Sequence, residues 1–253
     1  MMNISVDKII KEAIDEYGKE TDSLKFLPEN RTNRSIFPTH GQYDWFSGCV
    51  LYCLVRHIKP KHIIEVGMSS GYSTTFSLLA IKKNGVGFLD TFEINHKLFE
   101  IVKRNFADWD LLDLVHIHIG DAKETYKNLA SCEAEILFLD AVHKKNFARW
   151  FIEIFNIKED SLLQVHDVLP MNAKVKIDGK ARSHHLSSSE EQYFRKLTAK
   201  MDPDDYTYLY NITQEYPQLN PRAYDDRYER NEDDKGQPFE WNNTLWIKMK
   251  ALR

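Results

Sequence analysis

Two short groups of acids and histidines, Asp140-Ala141-Val142-His143 and Val165-His166-Asp167-Val168, each close an apolar run: Ile136-Leu137-Phe138-Leu139 before the first, Leu162 onward before the second. Carboxylates in both groups, with an imidazole beside one, supply hard oxygen donors for Mg²⁺ and a nitrogen suited to a softer ion. Asp140, His166 and Asp167 are therefore candidate metal ligands. A third group reads Glu65-Val66-Gly67-Met68-Ser69-Ser70-Gly71-Tyr72-Ser73. Its glycines let the backbone turn sharply and let a ligand approach, and the amides at a helix start just beyond favour anionic groups. Ser69 stands where the dinucleotide fingerprint G-x-G-x-x-G needs its second glycine, which disfavours a NAD site. Glu93, 26 positions after Gly67 in Phe92-Glu93-Ile94-Asn95, is placed to accept hydrogen bonds from a ribose diol. Each acid also has a plainer role open to it: an N-cap near His96 for Glu93, and a helix cap for Asp140 or Asp167. His143 equally suits a cap or a loop lining.

These residues act together only if secondary structure brings them together. From residue 63 to 168 short apolar runs alternate with helix-period stretches, the pattern of βαβ units around a parallel sheet. Strands are expected at 63–66, 85–92, 114–119, 136–139 and 162–168, and helices at 72–81 and 96–106. Ligands of open α/β sheets bind beyond the carboxyl ends of the strands, and all three groups fall there. Helices at 6–17 and 43–58 make residues 1–60 an N-terminal helical cap segment on a single domain. Residues 61–253 form the core, with a helix at 189–201, strands at 206–212 and 244–249, and loop insertions at 169–188 and 213–240. The first insertion holds Lys174, Lys176, Lys180, Arg182, His184 and His185. It reads as a solvated loop, with a mobile lid over the substrate as the alternative. His116 and His118 share one strand face as packed or surface groups, His57 and His62 are expected at the surface, and Cys49, Cys53, Trp45, Phe46 and Tyr52 in the core.

Glu65-Val66-Gly67 followed by Gly71-Tyr72-Ser73 closely resembles the nucleotide turn of class I S-adenosylmethionine-dependent methyltransferases of the catechol O-methyltransferase type, and Phe92-Glu93-Ile94-Asn95 resembles their ribose-binding strand end. The resemblance covers residues 63–168. It implies an α/β fold with a Rossmann-like, seven-stranded, mostly parallel sheet, helices on both faces and a reversed final strand. It also implies that Gly67 and Gly71, in the turn with Glu65, admit the cofactor backbone, that Ser73 meets the methionine carboxylate, and that Glu93 holds the ribose. Asp121 and Ala122 of Gly120-Asp121-Ala122 would frame the adenine. Metal-dependent members hold their ion with an acid after the fourth strand and an acid plus a second polar residue after the fifth, which Asp140, Asp167 and His166 match. A histidine in place of the usual Asp, Glu or Asn widens the expected ion from Mg²⁺ to Mn²⁺ or Fe²⁺. The family's general base stands three residues after the fourth-strand acid, where this chain has His143. An imidazole pKa of about 6.5 suits proton removal from a hydroxyl acidified by a metal. Ser-Glu-Glu-Gln-Tyr at 189–193 and Thr-Leu-Trp-Ile-Lys at 244–248 resemble bacterial methyltransferases associated with glycans and natural-product sugars, which implies a sugar or polyol hydroxyl as acceptor.

Composition sets outer bounds. The 253 residues, 42% hydrophobic and 28% charged, suit one large globular domain. Lys and Arg number 34 against 38 Asp and Glu, so a net charge of −4 offers no basic footprint for nucleic acid. No apolar run reaches the roughly 18 residues of a membrane-spanning helix. Asp7, Glu12, Asp15 and Glu16 stand where a signal peptide would be basic and then apolar. Three cysteines make no secreted disulfide framework. The expectation is a cytoplasmic O-methyltransferase of small molecules using S-adenosylmethionine and a divalent metal, with no nucleic-acid or membrane partner and homo-oligomerisation left open. The rival readings are metal-independent O- or N-methylation through His143 or His166, and a cofactor-binding module without catalysis.

Overall fold

The computed structural model describes residues 4–25, 27, 36, 43–155, 158–171, 174–177, 180–183, 188–213, 215–219 and 243–253. Helix α1 (Val6–Tyr17) starts at Ser5, whose hydroxyl accepts from the Lys8 N–H, and buries Val6, Ile10, Ala13 and Ile14 at helical spacing. Helix α2 (Trp45–Ile58) is capped by Asp44, buried on every face as far as Val55, and stopped by Lys59 in a left-handed conformation. The repeating units follow: β1 (His62–Val66), α3 (Tyr72–Asn84), β2 (Phe88–Glu93), α4 (Phe99–Asp108), β3 (Val115–Ile119), α5 (Ala122–Thr125), β4 (Ile136–Leu139), α6 (Lys145–Phe155) and β5 (Leu162–Val165). Beyond them lie a hairpin of β6 (Lys174–Ile177) and β7 (Lys180–Ser183), then α7 (Ser189–Thr198), β8 (Tyr206–Tyr208), α8 (Leu209–Ile212) and β9 (Leu245–Lys248).

The seven-stranded sheet runs β3-β2-β1-β4-β5-β9-β8 and is parallel except for β9, which is antiparallel to both its neighbours. Side chains alternate between faces. Ile63, Leu89, Ile136, Phe138 and Trp246 pack in the core shared with α1 to α4; Ile64, Val66, Leu137, Leu139 and Val165 pack in the core shared with α6 and α7. Strands covered on both faces carry unbroken apolar runs, which is why Ile136-Leu137-Phe138-Leu139 is wholly buried.

Register does the positioning. Val66 pairs with Phe92 on one side and Leu139 on the other, and Leu139 pairs with Val165. The strand order reverses at β1/β4, so Gly67, Glu93, Asp140 and His166 emerge at one edge, around the switch point.

Several expectations are corrected. The strand expected over 206–212 ends at Tyr208, and Leu209–Ile212 form a helical turn; Tyr206, Tyr208, Tyr210 and Ile212 alternate as in a strand, but Leu209 and Ile212, three apart and both buried, share the face of a helix. The strand expected over 85–92 starts at Phe88, because Gly85 closes α3 at φ 67°. The strand expected over 162–168 ends at Val165, since Asp167 turns left-handed at φ 60°. Residues 169–188 are not simply a loop, for they contain the β6–β7 hairpin. His184, His185 and most of the 213–240 insertion lie outside the described residues. His62 is buried, not at the surface: its Nε2 meets Asp90 Oδ2 at 2.8 Å, and His118 Nε2 meets Asp90 Oδ1 at 2.6 Å. Cys49, Cys53, Trp45, Phe46 and Tyr52 are in the core. No described helix is long and apolar enough to cross a membrane.

Candidate active site

A cleft of about 280 Å³ opens at the sheet edge, lined by Gly67, Ser69, Glu93, Asp121, Ala122 and Asp140 among others. Glu93 is fixed by both oxygens: Oε2 accepts from the Ser69 N–H and Oε1 from the Asn95 N–H, each at 2.6 Å. One carboxylate thereby ties the loop after β1 to the loop after β2. Asp121 caps α5 by accepting from the Lys123 N–H at 2.9 Å, so its plainer role is real, and it lines the cleft as well.

Glu65, Gly71 and Ser73 stand behind the cleft. Glu65 is buried and accepts from the hydroxyls of Ser73, Thr74 and Thr91 at 2.7, 2.6 and 2.7 Å. Burial pushes its pKa up against the pull of those three donors. The Ser73 hydroxyl proton therefore belongs to Glu65, and the pair braces β1 against the start of α3. Gly67 has its own reason for lacking a side chain, because a Cβ there would lie 1.8 Å from the Asp140 carbonyl oxygen. The glycine admits the neighbouring strand end before any ligand.

Asp140, His166 and Asp167 offer ligand atoms that all lie within 4.8 Å of one another. His166 is buried, with Nδ1 3.3 Å from Asp140 Oδ2 and 3.6 Å from Asp167 Oδ1. Burial opposes charge on this ring, but the two carboxylates outweigh it and hold the pKa up to about 9. Burial likewise opposes ionisation of Asp140, yet the His166 charge and hydrogen bond keep its pKa below the ordinary carboxylate value. Nδ1 makes the ring's polar contacts; Nε2 is buried with no hydrogen-bond partner among the described residues. Two converging carboxylates and an imidazole fit a divalent ion of intermediate softness, whose binding at Nδ1 would displace a proton from the ring.

His143 bridges two acids. Its Nδ1 lies 3.0 Å from Glu190 Oε2 and its Nε2 3.3 Å from Asp167 Oδ2. The Glu190 hydrogen bond, opposed by burial and helped by the Asp167 charge, raises its pKa above the value expected from sequence. Burial in turn raises Glu190, against the pull of His143.

Three contributors escaped sequence reasoning. Glu190, in the first turn of α7, lay inside the singled-out 189–193 segment but carried no assigned role. Asn243, just before β9, donates from Nδ2 to Asp167 Oδ1. Tyr43, just before α2, tilts its ring against His166 with centroids 5.1 Å apart. No local pattern marks any of them; their proximity is made by the fold.

Residues 64–168 match a family model described as a methyltransferase domain. The chain is 28% identical over 109 residues to a catechol O-methyltransferase of Mycobacterium tuberculosis, covering 42% of this chain and 49% of that protein. It therefore spans about half the length of that relative. It is 26% identical over 179 residues to a catechol O-methyltransferase of Niastella koreensis, covering 66% of this chain and 76% of that one. Among solved structures, a candidate caffeoyl-CoA O-methyltransferase of Staphylococcus aureus superposes with a TM-score of 0.55 at 23% identity, over 78% of this chain and 91% of the other. The O-methyltransferase TomG of Streptomyces achromogenes, in complex with S-adenosylmethionine, gives 0.50 at 19% identity over 81% and 83%.

Proposed function

We propose that this chain, whose core is a class I S-adenosylmethionine-dependent methyltransferase domain with that family's seven-stranded sheet, is an O-methyltransferase of small molecules. One observation carries the reading: Asp140, His166, Asp167 and His143 converge at strand ends beside the cleft that holds Glu93. In the reaction an acceptor oxygen forms a bond to the sulfonium methyl of S-adenosylmethionine as the carbon–sulfur bond breaks, the hydroxyl proton passes to His143, and S-adenosylhomocysteine leaves. The enzyme's work is alignment for in-line displacement and stabilisation of the developing oxyanion.

Glu93 receives the ribose hydroxyls, with its carboxylate already held by the Ser69 and Asn95 amides. Asp121 and Ala122 frame the adenine end of the cleft, while Glu65 and Ser73 hold the turn from behind. Gly67 and Gly71 keep that turn in a left-handed path. A divalent ion held by Asp140, His166 and Asp167 would supply positive charge that lowers the pKa of an acceptor hydroxyl and offsets the oxyanion. Glu190 orients His143 through Nδ1, leaving Nε2, 3.3 Å from the Asp167 carboxylate, as the nitrogen that takes the proton. A positioned base of this kind contributes roughly 10²–10⁴ in rate.

The acceptor is a small-molecule hydroxyl, with no role for nucleic acid or a membrane surface. The curated relatives are named for catechol, whereas the segments at 189–193 and 244–248 favour a sugar or other natural product. A second reading, metal-independent transfer with His143 as base, is favoured by the His143–Glu190 pair, which is complete without an ion. The test is mass spectrometry of a catechol and sugar-diol panel incubated with S-adenosylmethionine, with and without EDTA. A gain of one methyl that EDTA abolishes supports the metal reading. Gain that survives rigorous chelation supports the second, and no methyl gain together with no calorimetric binding of the cofactor overturns both.

A further inference from the structure

We infer that Asn243 is the positioning residue of the candidate metal site, its side-chain amide setting the Asp167 carboxylate as a ligand; the inference rests on the metal reading above. Asp167 sits in the left-handed region at φ 60°, which few L-residues other than Asn and Asp adopt readily, and this turn aims its carboxylate away from the strand path of β5. Asn243 meets this turn twice. Its carbonyl accepts the Val168 N–H at 2.7 Å, and its Nδ2 donates to Asp167 Oδ1. Oδ1 is also the oxygen 3.6 Å from His166 Nδ1, while Oδ2 lies 3.3 Å from His143 Nε2.

A carboxylate rotates easily about its last bond, and an amide donor on one oxygen selects a single rotation while leaving that oxygen a second lone pair for a cation. The orientation of the Asn243 amide is settled by chemistry, since the opposite one would set carbonyl oxygen against carboxylate. Asn243 is buried, and its own Oδ1 has no hydrogen-bond partner among the described residues. An unpaired buried carbonyl oxygen is a stability cost, so the amide is better explained by what its N–H does than by packing. The next residue anchors it: Thr244 Oγ1 lies 3.1 Å from Ser47 Oγ, which donates to Asp44 Oδ2 at 2.6 Å at the start of α2. A donor held this firmly can hold a ligand in turn.

The test uses the full-length protein, freed of metal, titrated with Mn²⁺ by electron paramagnetic resonance and with S-adenosylhomocysteine by calorimetry. Asn243→Ala and Asn243→Leu both remove the donor, but only Ala leaves a void, so the pair separates donation from packing. Both variants are expected to bind Mn²⁺ about 10–100-fold more weakly, the usual loss when a ligand-orienting group is removed, with S-adenosylhomocysteine affinity unchanged. Should Asn243→Ala fail to fold, Asn243→Leu carries the comparison against the parent protein. Parental Mn²⁺ affinity in the Leu variant overturns the inference, as does a matching loss of S-adenosylhomocysteine binding, which would signal general disruption. A parent protein that binds S-adenosylhomocysteine but no Mn²⁺ overturns the metal reading itself, so the two failures are distinguishable.

Discussion

Gly67 and Gly85 both have positive φ, 106° and 67°, but differ in what a side chain would meet. At Gly67 a Cβ would lie 1.8 Å from the Asp140 carbonyl oxygen, whereas at Gly85 nothing lies within 4 Å. Ordinary contact begins at 3.4 Å, so Gly67→Ala requires the Asp140 peptide to retreat by 3.4 − 1.8 = 1.6 Å. The N–H of the same residue donates to the Val66 carbonyl at 2.9 Å, so the retreat also strains the last bond between β1 and β4. Left-handed backbone costs an alanine about 1–2 kcal/mol at either site, and forced overpacking adds about 1–3 kcal/mol at Gly67 alone. Urea unfolding should therefore show about 1–2 kcal/mol lost in Gly85→Ala and about 2–5 kcal/mol in Gly67→Ala. Asp140 moves with its peptide, and a misplacement of about 1 Å at a reacting centre can remove about 10² in rate. Gly67→Ala should lose turnover at temperatures where it is still folded, while Gly85→Ala keeps it. Equal destabilisation of the two variants, or full turnover in folded Gly67→Ala, would refute the claim that the β1 turn exists to seat the Asp140 strand end.

Glu93→Ala should weaken S-adenosylmethionine binding at least about tenfold in calorimetry, since charge-assisted hydrogen bonds are each worth roughly 1.5–3 kcal/mol; unchanged affinity in the folded variant would remove Glu93 from the cofactor site. Asp167→Ala should mimic EDTA by abolishing turnover while sparing cofactor binding, whereas His143→Ala should keep Mn²⁺ and cofactor yet lose roughly 10²–10⁴ in rate. Glu190→Gln removes the leading cause of the raised His143 pKa, so the acid limb of the pH–rate profile should move to lower pH; a limb that stays in place would deny the pair its role. Asp90 is buried, which opposes its ionisation, but hydrogen bonds from His118 and His62 hold its pKa well below the ordinary carboxylate range. Its contribution to stability is present above the unfolded pKa of about 4 and lost as pH falls below it, so Asp90→Asn should flatten the acid limb of stability against pH in thermal unfolding.

The strand ends were legible because each is a local event. An apolar run of a few residues, ended by glycine or by an acid, announces both a buried strand and the polar group that leaves it, as at Val66-Gly67, Phe92-Glu93 and Leu139-Asp140. The parallel order of the core also follows from local alternation, since short strands separated by helices have few other ways to bury both faces. Where two local solutions compete, the sequence misleads. Tyr206 to Ile212 suits either periodicity, and the pairing of Tyr208 with Leu245 followed by burial of Leu209 and Ile212 decides it. His62 looked exposed because nothing beside it reveals Asp90, 28 positions on, across the β1–β2 pair.

By itself, then, the sequence determined which acids and histidines stand at the switch point of the sheet, because strand and turn propensity act over a few residues. Tertiary structure alone decided what those residues can do. Glu190 reaches His143 across 47 positions, and Asn243 reaches Asp167 across 76. The neighbouring Glu191 turns instead to Arg195 at 2.6 Å, a choice between adjacent glutamates that depends on how α7 is rotated against α6 and the sheet. The protonation of His166 belongs to the same class. A pKa raised to about 9 arises from two carboxylates brought within 4 Å of a ring removed from water, and charge interactions of that strength exist only once packing has excluded the solvent that would screen them.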